Sequence, residues 1–262
     1  SILSNILTRI RLSWHRYMAK TFDTWTSRMA NVTVTGTIQS QSNLKRLAPN
    51  SIIKYFPTKP FESPKVCKKE TILTSTRADG RLNIIYLGDM SFVRNQEGVL
   101  WFLTEVLNRI TDKHNERLHF TFVGRKPEQH VMETRISQSA SIEFKGFVDN
   151  LQKEFDDAQG AIIPVFGGNG VRIKTVTLLG SGLPTISTTD GVEGLPVETN
   201  RDVIIANTTS EFEDGLKRIL EEETRKKLWN KCKSTMSGFL SEENDAGIIY
   251  EISSEAISDN RK

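Results

Sequence analysis

The residues best equipped for chemistry lie in one stretch, PVFGGNGVRIKTVTLLGSGLP at 164–184. An apolar run ends at Val165, a loop holds Gly167, Gly168 and Gly170, and helical spacing begins near Val171. Glycines let a backbone approach a ligand closely, and free N–H groups at a helix start favour an anion. Lys174 falls in the first helical turn, with Arg172 two residues before it. The helix dipole opposes a cation there, so fold stability gives it little reason to be present, whereas a bound phosphate would. A tight turn followed by a solvated lysine is the plainer reading of the same spacing. A second loop, GDMSFVRNQEG at 88–98, sets Arg94 and Asn95 before another helix, with Asn95 as a candidate cap. A third, VGRKP at 123–127, places Gly124 and Arg125 after an apolar run. At one edge of one sheet, three such loops would form a cradle for a diphosphate.

The pattern that must position these loops runs from about Ile84 onward. Short apolar runs at 82–88, 118–124, 141–146, 160–165, 183–188 and 202–206 are rich in Ile, Val and Phe and close on Gly or a polar turn. Runs without strict alternation read as strands buried on both faces, as in a parallel sheet. Between them lie helical stripes: Val99, Phe102, Leu103 and Val106; Ile173, Val176 and Leu179; Phe212, Leu216 and Ile219. The alternation predicts an α/β fold with a doubly wound, Rossmann-like parallel sheet.

The first sixty residues differ. Apolar residues from Ile2 to Met29 recur at helical spacing beside Arg9, Arg11, Arg16, Lys20 and Arg28. One β-α-β unit follows, with strands at 32–36 and 51–57 around a helix at 40–47. Residues 61–80, with Pro64 and a polar run, read as a linker, 81–240 as the main domain, and 241–262 as a polar helical tail. The chain has 262 residues; 35 Lys and Arg against 32 Asp and Glu leave net +3, too little for nucleic acid to be the default partner. Four scattered His and two Cys offer no metal spacing and no disulfide framework, which fits a reducing compartment. No apolar run approaches the roughly 18 residues that crossing a bilayer needs. The chain opens on Ser1 rather than Met, as a piece of a longer protein would.

Six segments in order give the span from about Arg81 to Leu220 a specific likeness. They are YLGDMSFVRNQEGVLWFL (86–103), FTFVGRKP (120–127), IEFKGFVDNL (142–151), AIIPVFGGNGVRIK (161–174), GSGLPTIST (180–188) and GVEGL (191–195). Together they resemble the carboxyl-terminal, donor-binding half of GT-B glycosyltransferases of the family 4 type, the group 1 glycosyl transferases. Residues 1–60 would then be a remnant of the other, acceptor-side half, and the tail the helix that crosses back to it.

The resemblance implies a nucleoside-diphosphate sugar as substrate and transfer of a hexose or 6-deoxyhexose to a glycan or polyprenyl-linked acceptor, with retention, no metal and no cofactor. Lys174, Arg94, Gly168, Gly170 and Arg172 would hold the diphosphate, whose departing charge the cations stabilise. Gly146, Phe147, Val148 and Thr177 would face the base and ribose, with Gly88, Gly124, Arg125 and Glu193 on the other donor-side loops. The family carries Lys-x-x-Glu-Ala where this chain has Thr177, and Asn169 stands at a second carboxylate position. No catalytic residue is assignable, His15 included. The implied place is the cytoplasm, in polysaccharide biosynthesis. The basic amphipathic opening helix either meets the inner face of a membrane or packs on an acceptor half, which a partner chain could supply. The alternative is a non-catalytic subunit that kept the fold.

Overall fold

A computed structural model describes residues 2–74, 77–110, 114, 116–126, 141–168 and 170–259. The chain forms two compact units, Ser1–Thr58 with Ser241–Lys262, and Lys59–Leu240. In the first, α1 (Ile2–Met29) precedes a parallel β-α-β of β1 (Thr33–Thr35), α2 (Ile38–Leu47) and β2 (Ile53–Tyr55). The Thr37 hydroxyl accepts from the Ser40 N–H at 3.0 Å and caps α2, satisfying one of the donors a helix start leaves bare.

The second unit opens with a strap and a short helix, α3 (Lys69–Leu73). The described residues of 61–80, expected as a linker, fall within this unit instead. The Cys67 N–H donates to the Ser181 carbonyl at 2.9 Å, and Ile72 is fully buried. Prolines and polar residues here mark an extended segment that is pinned through its backbone. The buried Arg225 guanidinium secures it by donating to the carbonyls of Ile72 and Leu73, as well as those of Ile219 and Leu220.

Each of the six apolar runs becomes a strand. They are β3 (Leu82–Leu87), followed by α4 (Val93–Trp101) and a π-helical turn (Phe102–Val106); β4 (Leu118–Val123); β5 (Ser141–Gly146), followed by α5 (Leu151–Asp156); β6 (Gly160–Ile163), followed by α6 (Ile173–Gly180); β7 (Thr185–Ser187); and β8 (Ile204–Ile205). All pair in parallel, in the order β5-β4-β3-β6-β7-β8. Side chains alternate between faces. Leu82, Ile84 and Tyr86 of β3 pack with Val99, Phe102 and Phe212, whereas Ile85 packs on the other face with Ile163, Leu178 and Phe155. Both faces are therefore dry, and full burial of a side chain such as Phe102 is worth about 1.5–3 kcal/mol.

Two further helices, α7 (Thr209–Ile219) and α8 (Glu222–Phe239), complete this unit, and the final helix, α9 (Glu242–Asp259), belongs to the first. There the Lys54 ammonium meets the Glu251 carboxylate at 2.6 Å. From β3 the sheet grows one way through β4 and β5, and from β6 the other way through β7 and β8. The crevice at such a reversal, beyond the carboxyl ends of the two central strands, is where ligands enter sheets of this kind.

Candidate functional site

The two helices that begin at this reversal lie on opposite faces, α4 with Val99 in one core and α6 with Leu178 in the other. α4 is pressed onto the end of β6 at Gly98, where an added Cβ would stand 1.8 Å from the Pro164 carbonyl oxygen. The Trp101 ring meets Phe166 edge-on at 4.8 Å, tying the same helix to the glycine loop.

Asn95 does not cap α4. The helix begins at Val93 after Phe92, so Asn95 sits inside the first turn. Its Nδ2 donates to the Asp89 carbonyl at 2.8 Å, and its Oδ1 accepts from Lys174 Nζ at 2.7 Å. Lys174, second residue of α6, also donates to the Tyr86 hydroxyl at 3.2 Å and lies 4.9 Å from the Tyr86 ring centre. Among the described residues no carboxylate pairs with this ammonium. Burial, and then the nearby Arg172 charge, pull its pKa from 10.5 down to about 7. Burial pushes the Tyr86 hydroxyl up, with the Asp89 charge adding to it, so Tyr86 stays neutral.

The glycine loop brings the remaining cations together. Gly168 has φ +93°, and a Cβ there would stand 2.7 Å from Arg94 Nη1 and 3.0 Å from Arg172 Nη2. Arg94, Arg172, Lys174 and Gly168 thus share one place. Arg172 also staples the loop: its guanidinium donates to the Gly167 carbonyl at 2.7 Å, to the Gly170 carbonyl at 3.3 Å and to the Asp190 carbonyl.

Two of the loop's N–H groups are engaged by carboxylates. The Gly167 N–H donates to Asp190 Oδ2 at 2.6 Å, and the Gly170 N–H to Glu193 Oε2 at 3.1 Å. Backbone donors rarely stay unpaired, and Asp190, opening the 3-10 turn Asp190–Val192, and Glu193, just after it, supply the acceptors. Glu193 was visible as part of GVEGL and Tyr86 as the start of YLGDM; Asp190 and the Asn95–Lys174 bond had no local signal. Asn169 and Pro127 lie outside the described residues.

Arg125 does not join the cations. Its Nε lies 3.7 Å from Asp89 Oδ2, and Gly124 packs against Gly88, where an added Cβ would stand 2.1 Å from the Gly88 carbonyl oxygen. The three strand-end loops are nonetheless bound to one another, with the Gly88 N–H on the Val123 carbonyl and the Gly124 N–H on the Gly146 carbonyl, both at 2.9 Å. After β5, Gly146 takes φ +77°, Phe147 is 77% exposed and Val148 tucks into the core. Next to them a cavity of about 510 Å³ is lined by Asn150, Gln152 and Thr177 on one side and Glu62, Ser63 and Lys65 of the strap on another. Thr177 turns its hydroxyl back on its own helix, donating to the Ile173 carbonyl at 2.8 Å.

The family model of the glycosyl transferases group 1 matches residues 81–222, more than half of the chain. A curated relative, an uncharacterized 44.6 kDa protein in the cps region of Klebsiella pneumoniae, is 22% identical over 48% of this chain and 34% of its own length. Among solved structures, TarM of S. aureus superposes with a TM-score of 0.70 at 11% identity, over 90% of this chain and 46% of that one. Sucrose-phosphate synthase from Thermosynechococcus elongatus gives 0.67 at 12% identity, over 92% of this chain and 62% of that one. Anabaena HepE, solved in complex with UDP, gives 0.64 at 13% identity, over 87% of this chain and 65% of that one. The chain therefore spans between about a third and two thirds of these proteins' lengths, and it shares the GT-B fold with the solved ones. By the family model and the sheet that carries it, the chain belongs to the group 1 glycosyl transferases.

Proposed function

We propose that the Lys59–Leu240 unit binds the diphosphate of a nucleotide sugar and serves retaining, metal-independent transfer of a hexose or 6-deoxyhexose to a glycan or polyprenyl-linked acceptor. The observation that carries this reading is Lys174: a partly buried ammonium with only neutral hydrogen-bond partners, beside Arg94 and Arg172, at the sheet reversal. A buried cation without a counterion is unfavourable alone and becomes favourable when an anion arrives. On departure of the sugar, the same charges stabilise the leaving nucleoside diphosphate. The cavity beside Gly146, Phe147 and Val148, lined by both polar and apolar side chains, suits a base and ribose, with Thr177 at its wall. The half of such an enzyme that binds the acceptor would come largely from polypeptide outside this chain. Exposed Trp14, Tyr17, Phe22 and Trp25 on α1, with Lys20 and Arg28, support contact with an anionic bilayer on the cytoplasmic side, where lipid-linked acceptors reside. Among the described residues no helix is long and apolar enough to cross a membrane.

A second reading, a donor-fold subunit without turnover, is favoured by one observation: the Thr177 hydroxyl is spent as a donor within its helix. Calorimetric titration with UDP, GDP, dTDP and ADP tests the donor site. One nucleotide should bind near micromolar, and Lys174→Ala should weaken it at least about tenfold, on the order of 1.4 kcal/mol. No binding at millimolar concentration would refute the donor site. Binding without sugar transfer, once the acceptor side is restored, would favour the subunit.

A further inference from the structure

Resting on the reading of Lys174 as the diphosphate cation, we propose that Asn95 is a positioning residue whose amide, anchored on the Asp89 carbonyl, holds the Lys174 ammonium for the ligand. A lysine head rides on a flexible four-carbon stem and is a poor fixed point by itself. Here it is fixed from three elements: its backbone on α6, the Tyr86 hydroxyl on β3 and the Asn95 carboxamide on α4. The amide has one orientation that works. Nδ2 donates to the Asp89 carbonyl at 2.8 Å, leaving Oδ1 to accept from the ammonium at 2.7 Å. Turned over, it would set donor against donor and acceptor against acceptor. The close contact of Gly98 with Pro164 one turn on keeps α4, and with it Asn95, from drifting.

The neutrality of the amide is the chemical point. A carboxylate at position 95 would hold the ammonium more tightly, but it would cancel the charge and repel a diphosphate. An amide orients the cation and leaves its charge and its third N–H to the ligand. The charged and titratable groups around the pair are Tyr86, Asp89 (engaged by Ser91 and Arg125), Arg94 and Arg172, with Asp190 and Glu193 held on the loop N–H groups. Of these, Arg172 disfavours the protonated lysine, whereas the Asn95 oxygen and the Tyr86 hydroxyl accept from the charged form.

The test is a pH titration of the free chain by NMR with 13Cε-labelled lysine, the Lys174 signal being assigned through Lys174→Arg. UDP binding is measured across pH 6–8.5 on the same preparations. Asn95→Ala should lower the Lys174 midpoint by roughly half a pH unit or more. For a half-unit drop it should weaken UDP by about threefold at pH 8 but by less than about 1.5-fold at pH 6, where acid restores the charge. Lys174→Gln, run in parallel, accounts for the ionisation of UDP itself. Asn95→Asp keeps the side-chain shape, should raise the midpoint, and should still weaken UDP because its charge competes with the ligand. A midpoint unmoved in both variants would overturn the proposal, and so would an Asn95→Ala loss that is equal at every pH, since that is what a merely structural role gives. If the wild-type chain binds no nucleotide while the midpoint moves with Asn95, the donor-site reading fails and the hold of Asn95 on Lys174 stands.

Discussion

Replacing Lys174 with Met should make the protein more stable at neutral pH, by an amount that follows from the burial of its ammonium. The unfolded chain keeps Lys174 protonated up to about pH 10.5, the folded chain only to about 7. Between those values the unfolded state holds the extra proton, so wild-type stability rises with pH through the window and is flat below it. At about 1.4 kcal/mol per pH unit, the protonated lysine costs the fold roughly 4–5 kcal/mol at or below pH 7. Met fits the buried stem but strands the Asn95 oxygen and the Tyr86 hydroxyl, which returns about 1–3 kcal/mol. The net expectation is a gain of about 1–4 kcal/mol at pH 6.5, shrinking by about 3 kcal/mol as the pH rises to 9.5. Urea unfolding followed by the fluorescence of Trp101 and Trp229, both in this unit, with Trp14 and Trp25 replaced by Phe to silence the other unit, measures it. Parallel wild-type and variant curves across that pH range, or a variant less stable than wild type at pH 6.5, would refute the reasoning. A gain in stability coupled to a loss of nucleotide binding is the exchange expected where a site stores an unfavourable charge for its ligand.

Two other substitutions test the scaffold around the site. Gly98→Ala puts a methyl 1.8 Å from the Pro164 carbonyl oxygen, so α4 must lift; a cost of about 2–3 kcal/mol in urea unfolding is expected, together with weaker nucleotide binding as Asn95 leaves Lys174. Unchanged stability would mean that α4 does not rest on β6 there. Arg225→Leu leaves four carbonyls without donors and should cost about 3–5 kcal/mol, read as faster hydrogen exchange across α3 before the rest of the unit opens. Protection of α3 equal to wild type would show that the strap is held by its apolar contacts alone.

The strands were legible because what defines them is local. Each run, such as the Ile84–Ile85–Tyr86 triplet, contributes alternate side chains to two apolar layers, and the need to be apolar on both sides is written within a few residues. The glycine loop and Lys174 were legible for the converse reason: a cation in the first turn of a helix contradicts local stability and so points to a ligand. The strap was misread because proline and polar side chains report solvent exposure of side chains, whereas this segment is anchored through its backbone, by Cys67 on Ser181 and by Arg225 on Ile72 and Leu73.

By itself, the sequence determined the α/β class and the family, and singled out the basic residues of the strand-end loops, since periodicity, glycine placement and motif order are all properties of neighbouring residues. Only the tertiary structure decided what each group does once assembled. Strand order set β3 beside β6 and so brought Asn95 to Lys174 across 79 residues of chain. The same folding laid Asp190 and Glu193 on the N–H groups of Gly167 and Gly170, and set Arg125 beside Asp89. A hydrogen bond needs its partners about 3 Å apart and aligned, and for residues far apart in sequence nothing short of the packed sheet fixes that distance.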